Sequence, residues 1–243
     1  MLTDNCEPIH FVVLISADVE WQTVKEKLKP SLINYSPYGE WFDQAYQIRD
    51  YPEVVRFFQG GWGKIAAAGS TQYVIDRFHP EKLINLGTCG GIKGQIERGT
   101  IILVTETIIY DIMEQMGDFD AHINHYRTQL DLSFIQKPYP MAVTLNRMVC
   151  GDRDLLKEDI PWLVDKFSAV AADWESGAIA YVASRNKIPV LILRGVTDLV
   201  GETGGEAYGN MGLFARNAAT IMDELVDHVA DWIACMRRRY DRE

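Results

Sequence analysis

Residues Ala171–Asp198 read AADWESGAIAYVASRNKIPVLILRGVTD, and the changes of pattern within this stretch decide the fold. A short apolar run, Ala169–Ala172, leads into Asp173-Trp174-Glu175-Ser176. An Ala-rich helical segment follows through Arg185, and Pro189–Leu193 then reads as a strand ending at Arg194-Gly195-Val196-Thr197-Asp198. The second run is apolar throughout rather than alternating, as in strands buried on both faces. The same grammar extends outward. His10–Ser16 (HFVVLIS) is a buried strand, and Glu20–Leu28 has helical spacing until Pro30 stops it. Val54–Gln59 is a second strand candidate, followed by Gly60, Gly61 and Gly63 and an Ala-rich helix over Lys64–Phe78. Leu83–Leu86 is a short strand ending in Gly87-Thr88-Cys89-Gly90-Gly91, and Thr100–Thr107 is another strand. Met211–Met236 reads as one long amphipathic helix, and Tyr110–Tyr139, with mixed patterning, as an irregular excursion. Buried strands each followed by a helix predict an α/β fold with a mostly parallel (mixed) central sheet flanked by helices. Without linker, repeat or low-complexity tract, residues 1–243 read as a single domain.

Composition excludes several classes. Apolar residues make up 47% and charged residues 24%, which fits an ordinary globular chain. Twenty-four basic against 34 acidic residues give a net charge of −10, which argues against nucleic-acid or anionic-membrane partners. The one basic cluster, Arg237-Arg238-Arg239, reads as a solvated helix end. Cys6, Cys89, Cys150 and Cys235 have no CxxC spacing and read as reduced thiols. With no signal-like start and no run of roughly 18 apolar residues, the expectation is a soluble cytoplasmic protein.

In α/β sheets, ligands gather beyond the carboxyl ends of strands. Ser16–Glu20, Gly60–Lys64, Gly87–Gly91, Asp173–Glu175 and Arg194–Asp198 all follow apolar runs. Taken alone, Gly60–Gly63 is explained by a tight turn, Glu20 by a helix first turn, and Asp198 by a cap. Glu175 enters a core and needs partners that a hydroxylated ligand would supply. The conjunction carries more: three carboxylates and two glycine-rich segments facing one edge. Gly87–Gly91 lacks the GxGxxG and phosphate-loop patterns, so no cofactor is expected. His122 and His125 lie three apart near Asp118 and Asp120, but the surrounding sequence gives no consistent helical face and no Cys or Glu completes a set; they read as a solvated loop, so no metal is expected.

The order and content of these segments resemble the 5′-methylthioadenosine/S-adenosylhomocysteine nucleosidases and, more broadly, the purine nucleoside phosphorylases that share their fold. The likeness runs from about His10 to the C-terminal helix. Ala171–Asp198 is its most specific part, supported by NLGTCGGI (Asn85–Ile92) and GGWGKIAAA (Gly60–Ala68). It implies a nucleoside phosphorylase-like fold and hydrolysis of the N-glycosidic bond of a purine nucleoside. The resemblance makes Asp198 the general acid toward purine N7 and Glu20, with a one-residue adjustment, the carboxylate that activates water. It gives Glu175 the ribose hydroxyls, and Trp174 the place of a Met packed on the sugar. Thr88, Cys89 and Gly90 would line the base and ribose pocket, Trp62 would replace an aliphatic residue, and Arg194 would support the wall. Where adenine-specific relatives have Gly-Asp-Ala-Phe-Ile, this chain has Gly151-Asp152-Arg153-Asp154-Leu155. Asp154 cannot stack on a purine, which leaves Trp62, Trp174 or Tyr208 to supply aromatic surface and the Leu155 backbone to meet the base edge.

Three functions compete: a nucleosidase, a phosphate-dependent phosphorylase, and a non-catalytic nucleoside sensor. The resemblance places an Arg before the glycine turn in phosphorylases, where this chain has Asn85. The loop after the first strand, Ser16–Glu20, carries two carboxylates and no cation. Lys64 and Arg194 remain as cations a phosphate site could recruit. The retained carboxylates argue against the sensor. The resemblance also implies a homodimer, with the apolar Ile112, Met113, Met116 and Phe119 of Tyr110–Tyr126 near its axis.

Overall fold

The computed structural model describes residues 9–236, so the Arg237–Arg239 cluster and Cys6 lie outside the described residues. In chain order the elements are β1 (Phe11–Ile15), α1 (Asp18–Leu28), β2 (Asn34–Tyr35), β3 (Glu40–Ile48), β4 (Tyr51–Gln59) and α2 (Lys64–Phe78). Next come β5 (Lys82–Ile92), β6 (Ile101–Ile109), α3 (Phe119–His125), β7 (Arg127–Gln129), β8 (Thr144–Cys150) and α4 (Ile160–Phe167). The chain continues with β9 (Ala171–Asp173), α5 (Ser176–Arg185), β10 (Val190–Gly201), β11 (Gly204–Gly205), α6 (Met211–Asp227) and α7 (Val229–Cys235).

The sheet is mixed, with parallel pairing at its centre. β1 lies between β4 and β5, parallel to both, and β5 is parallel to β10. β6, β8 and β9 form a second parallel set, joined by antiparallel pairings of β6 to β10 and β9 to β5. Every residue of β1 is buried. Phe11, Val13 and Ile15 face a cluster closed by Trp21 and Val24 of α1 and by Ile221, Leu225 and Trp232 of α6 and α7. Val12 and Leu14 face the other cluster, with Ala67 and Val74 of α2 and Ala178 and Ala183 of α5. Successive strand residues point to opposite faces, so a run apolar at every position serves both layers. No helix among the described residues is long and apolar enough to cross a membrane.

Several boundaries differ from the sequence reading. Gly87–Gly91 is not a turn after a short strand: β5 continues through it to Ile92. A Cβ on Gly91 would lie 2.7 Å from Val196 Cγ1 and 2.8 Å from Ile96 Cγ2, so the absent side chain makes room for packing within the sheet. β10 likewise runs through Arg194–Asp198 to Gly201 instead of ending there. Its pairing with β5 shifts between Val196, opposite Cys89, and Asp198, opposite Gly90, leaving Thr197 as an extra residue. The C-terminal helix is interrupted at His228, whose φ of −95° and ψ of 4° leave the helical range; beyond it Trp232 is buried against Tyr139. The Tyr110–Tyr139 excursion contains α3 and β7. β3, β8 and α4 had no counterpart in the sequence reading. β3 alternates exposed Asp43, Ala45 and Gln47 with more buried neighbours as an antiparallel partner of β4.

Candidate active site

A cavity of about 670 Å³ opens where β5, β9 and β10 meet the segments after β1, β4 and β8. Ten of the eleven residues anticipated from the sequence line it: Glu20, Trp62, Thr88, Cys89, Gly90, Leu155, Trp174, Glu175, Asp198 and Tyr208. Arg194 does not. It is 1% exposed and lies behind the wall, its Nε donating to Asp173 Oδ2 at 2.6 Å and its Nη2 to Asn85 Oδ1 at 2.6 Å. With its guanidinium held by protein oxygens, it is a buried support of the wall and has no surface on the cavity.

Glu20 reaches the cavity from the first turn of α1. Its Oε1 accepts the Thr88 backbone N–H at 2.6 Å and the Thr88 hydroxyl at 2.7 Å, while Oε2 meets only the Ala17 N–H, at 3.4 Å. One oxygen is thus committed and the other is left able to take a proton. Burial raises the Glu20 carboxyl above the ordinary range, opposed by the Arg194 charge and the Thr88 bonds.

Asp198 sits on the irregularity in β10. In a regular strand Thr197 and Asp198 would point to opposite faces, yet both line the cavity, because an extra residue in the ladder re-aims its neighbours. The Thr197 hydroxyl lies 2.7 Å from Asp198 Oδ1 and 3.2 Å from the Cys89 carbonyl. It has a single proton to give. With Asp198 ionised, Thr197 donates to it; with Asp198 protonated, Asp198 donates to Thr197 and Thr197 turns to Cys89. Burial raises the Asp198 carboxyl, and Glu206 and Asp154 add to the rise against the Thr197 and Ala207 hydrogen bonds. Both protonation states therefore have a hydrogen-bonded resting place.

Glu175 stands at the N-terminus of α5 and accepts the Gly63 N–H on Oε1 at 2.9 Å. The glycine turn after β4 thus gives an amide to a protein carboxylate, where the sequence suggested a ligand. Burial and the neighbouring Asp173 charge raise the Glu175 carboxyl. Trp62 and Trp174 lie beside it, ring centroids 5.7 Å apart, and the Tyr208 hydroxyl donates to the Leu155 carbonyl at 2.7 Å. Cys89 lines the cavity as a thiol whose acidity burial suppresses.

Sequence reasoning gave no role to Thr197, Asp173, Arg153 or Phe214, which also line the cavity. Phe214 lies in the first turn of α6, where helical spacing reads as core packing. Arg153 is the one cationic lining residue among those described, and Asp159 holds it at 2.9 Å. His122 and His125 lie on α3, away from the cavity, and His122 Nδ1 is 2.9 Å from the Asp118 carbonyl.

Residues 46–231 match the family model described as the phosphorylase superfamily. A curated 5′-methylthioadenosine/S-adenosylhomocysteine nucleosidase of Psychromonas ingrahamii is 28% identical over 206 residues, covering 76% of this chain and 86% of that protein. The 5′-methylthioadenosine nucleosidase of Arabidopsis thaliana is 31% identical over 139 residues, covering 57% and 51% of the two chains. Its apo structure superposes with a TM-score of 0.73 at 24% identity, covering 95% of this chain and 98% of that one. The Helicobacter pylori 5′-methylthioadenosine/S-adenosylhomocysteine nucleosidase with butyl-thio-DADMe-Immucillin-A gives 0.72 at 16% identity, covering 92% and 100%. At these identities the two structures establish a shared fold. The match to the family model extends from β3 into α7, through every strand and helix that carries the cavity except β1 and α1, and by that match the chain belongs to the phosphorylase superfamily.

Proposed function

We propose that this protein is an N-ribosyl hydrolase. It cleaves the N-glycosidic bond of a purine nucleoside of the 5′-methylthioadenosine/S-adenosylhomocysteine type and releases free base and a 5-substituted ribose. The observation that carries this reading is one cavity holding a half-committed carboxylate, Glu20, and a proton-ready carboxyl, Asp198, with Glu175 beside them. The names borne by the curated relatives support it. As the C1′–N9 bond breaks, positive charge develops on the sugar and negative charge on the base. Asp198 delivers a proton to N7 of the departing purine. Glu175 accepts hydrogen bonds from the ribose hydroxyls. Glu20 takes a proton from water on its free oxygen, and that water attacks C1′.

Phosphorolysis is the second reading, and the charges disfavour it. A phosphate dianion needs cations that are free to bind it. Arg194 is held by Asp173 and Asn85, Arg153 by Asp159, and Lys64 by Asp111. Glu20, Asp154, Asp173, Glu175 and Asp198 line the space that remains. The test is to incubate the purified protein with a panel of purine nucleosides, with and without phosphate, and identify both products by chromatography. Free base and free sugar at equal rates in both buffers are expected; a ribose 1-phosphate product with strict phosphate dependence would overturn hydrolysis.

The assembly belonging to this reading is a homodimer through the segment after β6, where Met113 is 55% exposed and Met116 96% exposed. The free thiols of Cys89, Cys150 and Cys235 suit a cytoplasmic setting.

A further inference from the structure

We infer that Asp152, with Lys64 and Asp111, is a latch that positions Glu175 by fixing the amide its carboxylate holds; this rests on the sugar-binding role proposed for Glu175. Three segments from separate strands meet at the cavity rim: the turn from β4 into α2, the segment after β6, and the segment after β8. Asp152 Oδ1 accepts the Lys64 backbone N–H at 2.7 Å, and the Asp152 N–H donates to Asp111 Oδ2 at 2.9 Å. The Lys64 ammonium completes the circuit on Asp111 Oδ1 and lies 3.8 Å from Asp152 Oδ2. None of the three side chains lines the cavity. They act through the neighbouring amide, Gly63, which gives its proton to Glu175.

The first amides of a helix lack partners within it and attract negative charge. Here the N-cap amide of α2 points at the Glu175 carboxylate and the next one at Asp152, so the orientation that satisfies one sets the other. Residue 63 fits only as glycine. Its φ is +86°, and a Cβ there would lie 3.2 Å from Asp152 Oδ1.

Among the described residues, the Gly63 amide gives Glu175 the one hydrogen bond its side chain receives. The groups facing that carboxylate are mostly unhelpful: Asp173 on β9 and Glu20 on α1 repel its charge, Arg194 on β10 attracts it, and the Cys150 thiol on β8 lies close. Without the latch, the Gly60–Gly63 turn is free to rotate its amide away. Glu175 then loses the donor that orients it and favours its ionised form, while Asp198 and Glu20, held by Thr197 and Thr88, are untouched.

The experiment compares Asp152→Ala, Asp152→Asn and Lys64→Met with the parent. Asp152→Ala should raise KM by roughly tenfold, the size expected for losing one hydrogen bond to a charged group, with kcat within about twofold. Asp152→Asn keeps an acceptor for the Lys64 amide and should restore most of the binding. Lys64→Met breaks only the ion pair and should fall between, and it serves if Asp152→Ala does not fold. A second readout needs no substrate. Trp62 and Trp174 flank Gly63 and Glu175, so the fluorescence of the free protein reports the Glu175 titration, identified as the step that Glu175→Gln abolishes. That step should move to higher pH in Asp152→Ala. An unmoved step together with unchanged KM overturns the latch. A parent that turns over no nucleoside overturns the proposed function instead, and the fluorescence step still decides the latch.

Discussion

Glu20 Oε1 receives both hydrogen-bond donors of Thr88, the amide at 2.6 Å and the hydroxyl at 2.7 Å. This double grip leaves Oε2 as the oxygen that can take a proton from water. Thr88→Val keeps the amide and the shape but removes the hydroxyl. Turnover should fall on the order of tenfold, as for loss of one hydrogen bond to a charged group. The acid limb of the kcat/KM profile should move to higher pH, because a bond that favours the ionised carboxylate is gone. A profile superposable on the parent's would sink the assignment of Glu20 as base.

Asp198→Asn preserves the size of the side chain and removes its proton. Turnover should drop by roughly 10²–10⁴-fold, the range for a positioned general acid, while a non-hydrolysable nucleoside analogue still binds. Glu206→Gln should leave the reaction intact but move the alkaline limb to lower pH, since the Glu206 charge helps keep Asp198 protonated. Near-parental turnover by the Asn variant would contradict the role.

Glu175 should cost the free protein stability as pH rises. Its carboxyl titrates above the ordinary range in the folded state, so between the unfolded and folded values the native chain binds more protons. Stability then falls with increasing pH across that window. Glu175→Gln carries no such charge. It should raise Tm relative to the parent by a few degrees near pH 8 and by much less near pH 4. A difference in Tm that does not grow with pH would contradict the raised titration.

Asp154 stands on the cavity wall where the resemblance calls for a stacking aromatic. Asp154→Phe should lower KM for adenine nucleosides several-fold through ring stacking, without a matching change in kcat. The ratio of KM values for adenine and hypoxanthine nucleosides, measured side by side, checks which base the parent was suited to.

Met116→Asp and Met113→Asp should weaken self-association by placing charge in an apolar contact. Sedimentation velocity at micromolar concentration should give about twice the mass of one chain for the parent and a shift toward single chains for the variants. A parent that sediments as a single chain refutes the dimer.

The layers of the fold were legible because buried strands and Ala-rich helices leave strong periodic traces. β1, α2 and α5 are where HFVVLIS, the Ala-rich run after Gly63 and the run after Ser176 place them. What escaped notice has physical reasons. β3 pairs near the edge, so its outward residues, Asp43, Ala45 and Gln47, carry little apolar surface and look like loop. β5 and β10 continue through glycines and a charged residue, because Gly91 admits neighbouring side chains and Arg194 is neutralised by Asp173, relations that only three-dimensional proximity reveals. The site carboxylates were legible as charges at the ends of apolar runs. The partner of Asp198 was not, since strict alternation assigns Thr197 to the opposite face.

That extra residue in β10 has a consequence for protein engineering. An aspartate grafted at the matching height on a regular strand would arrive without its neighbouring hydroxyl, and so without the relay that accommodates it both with and without its proton. The smallest portable piece of this chemistry is therefore the Val196–Asp198 tripeptide together with the Cys89–Gly90 backbone it rests on. A redesign that trims the strand to ideal geometry would retain the acid in the sequence and lose it in the pocket.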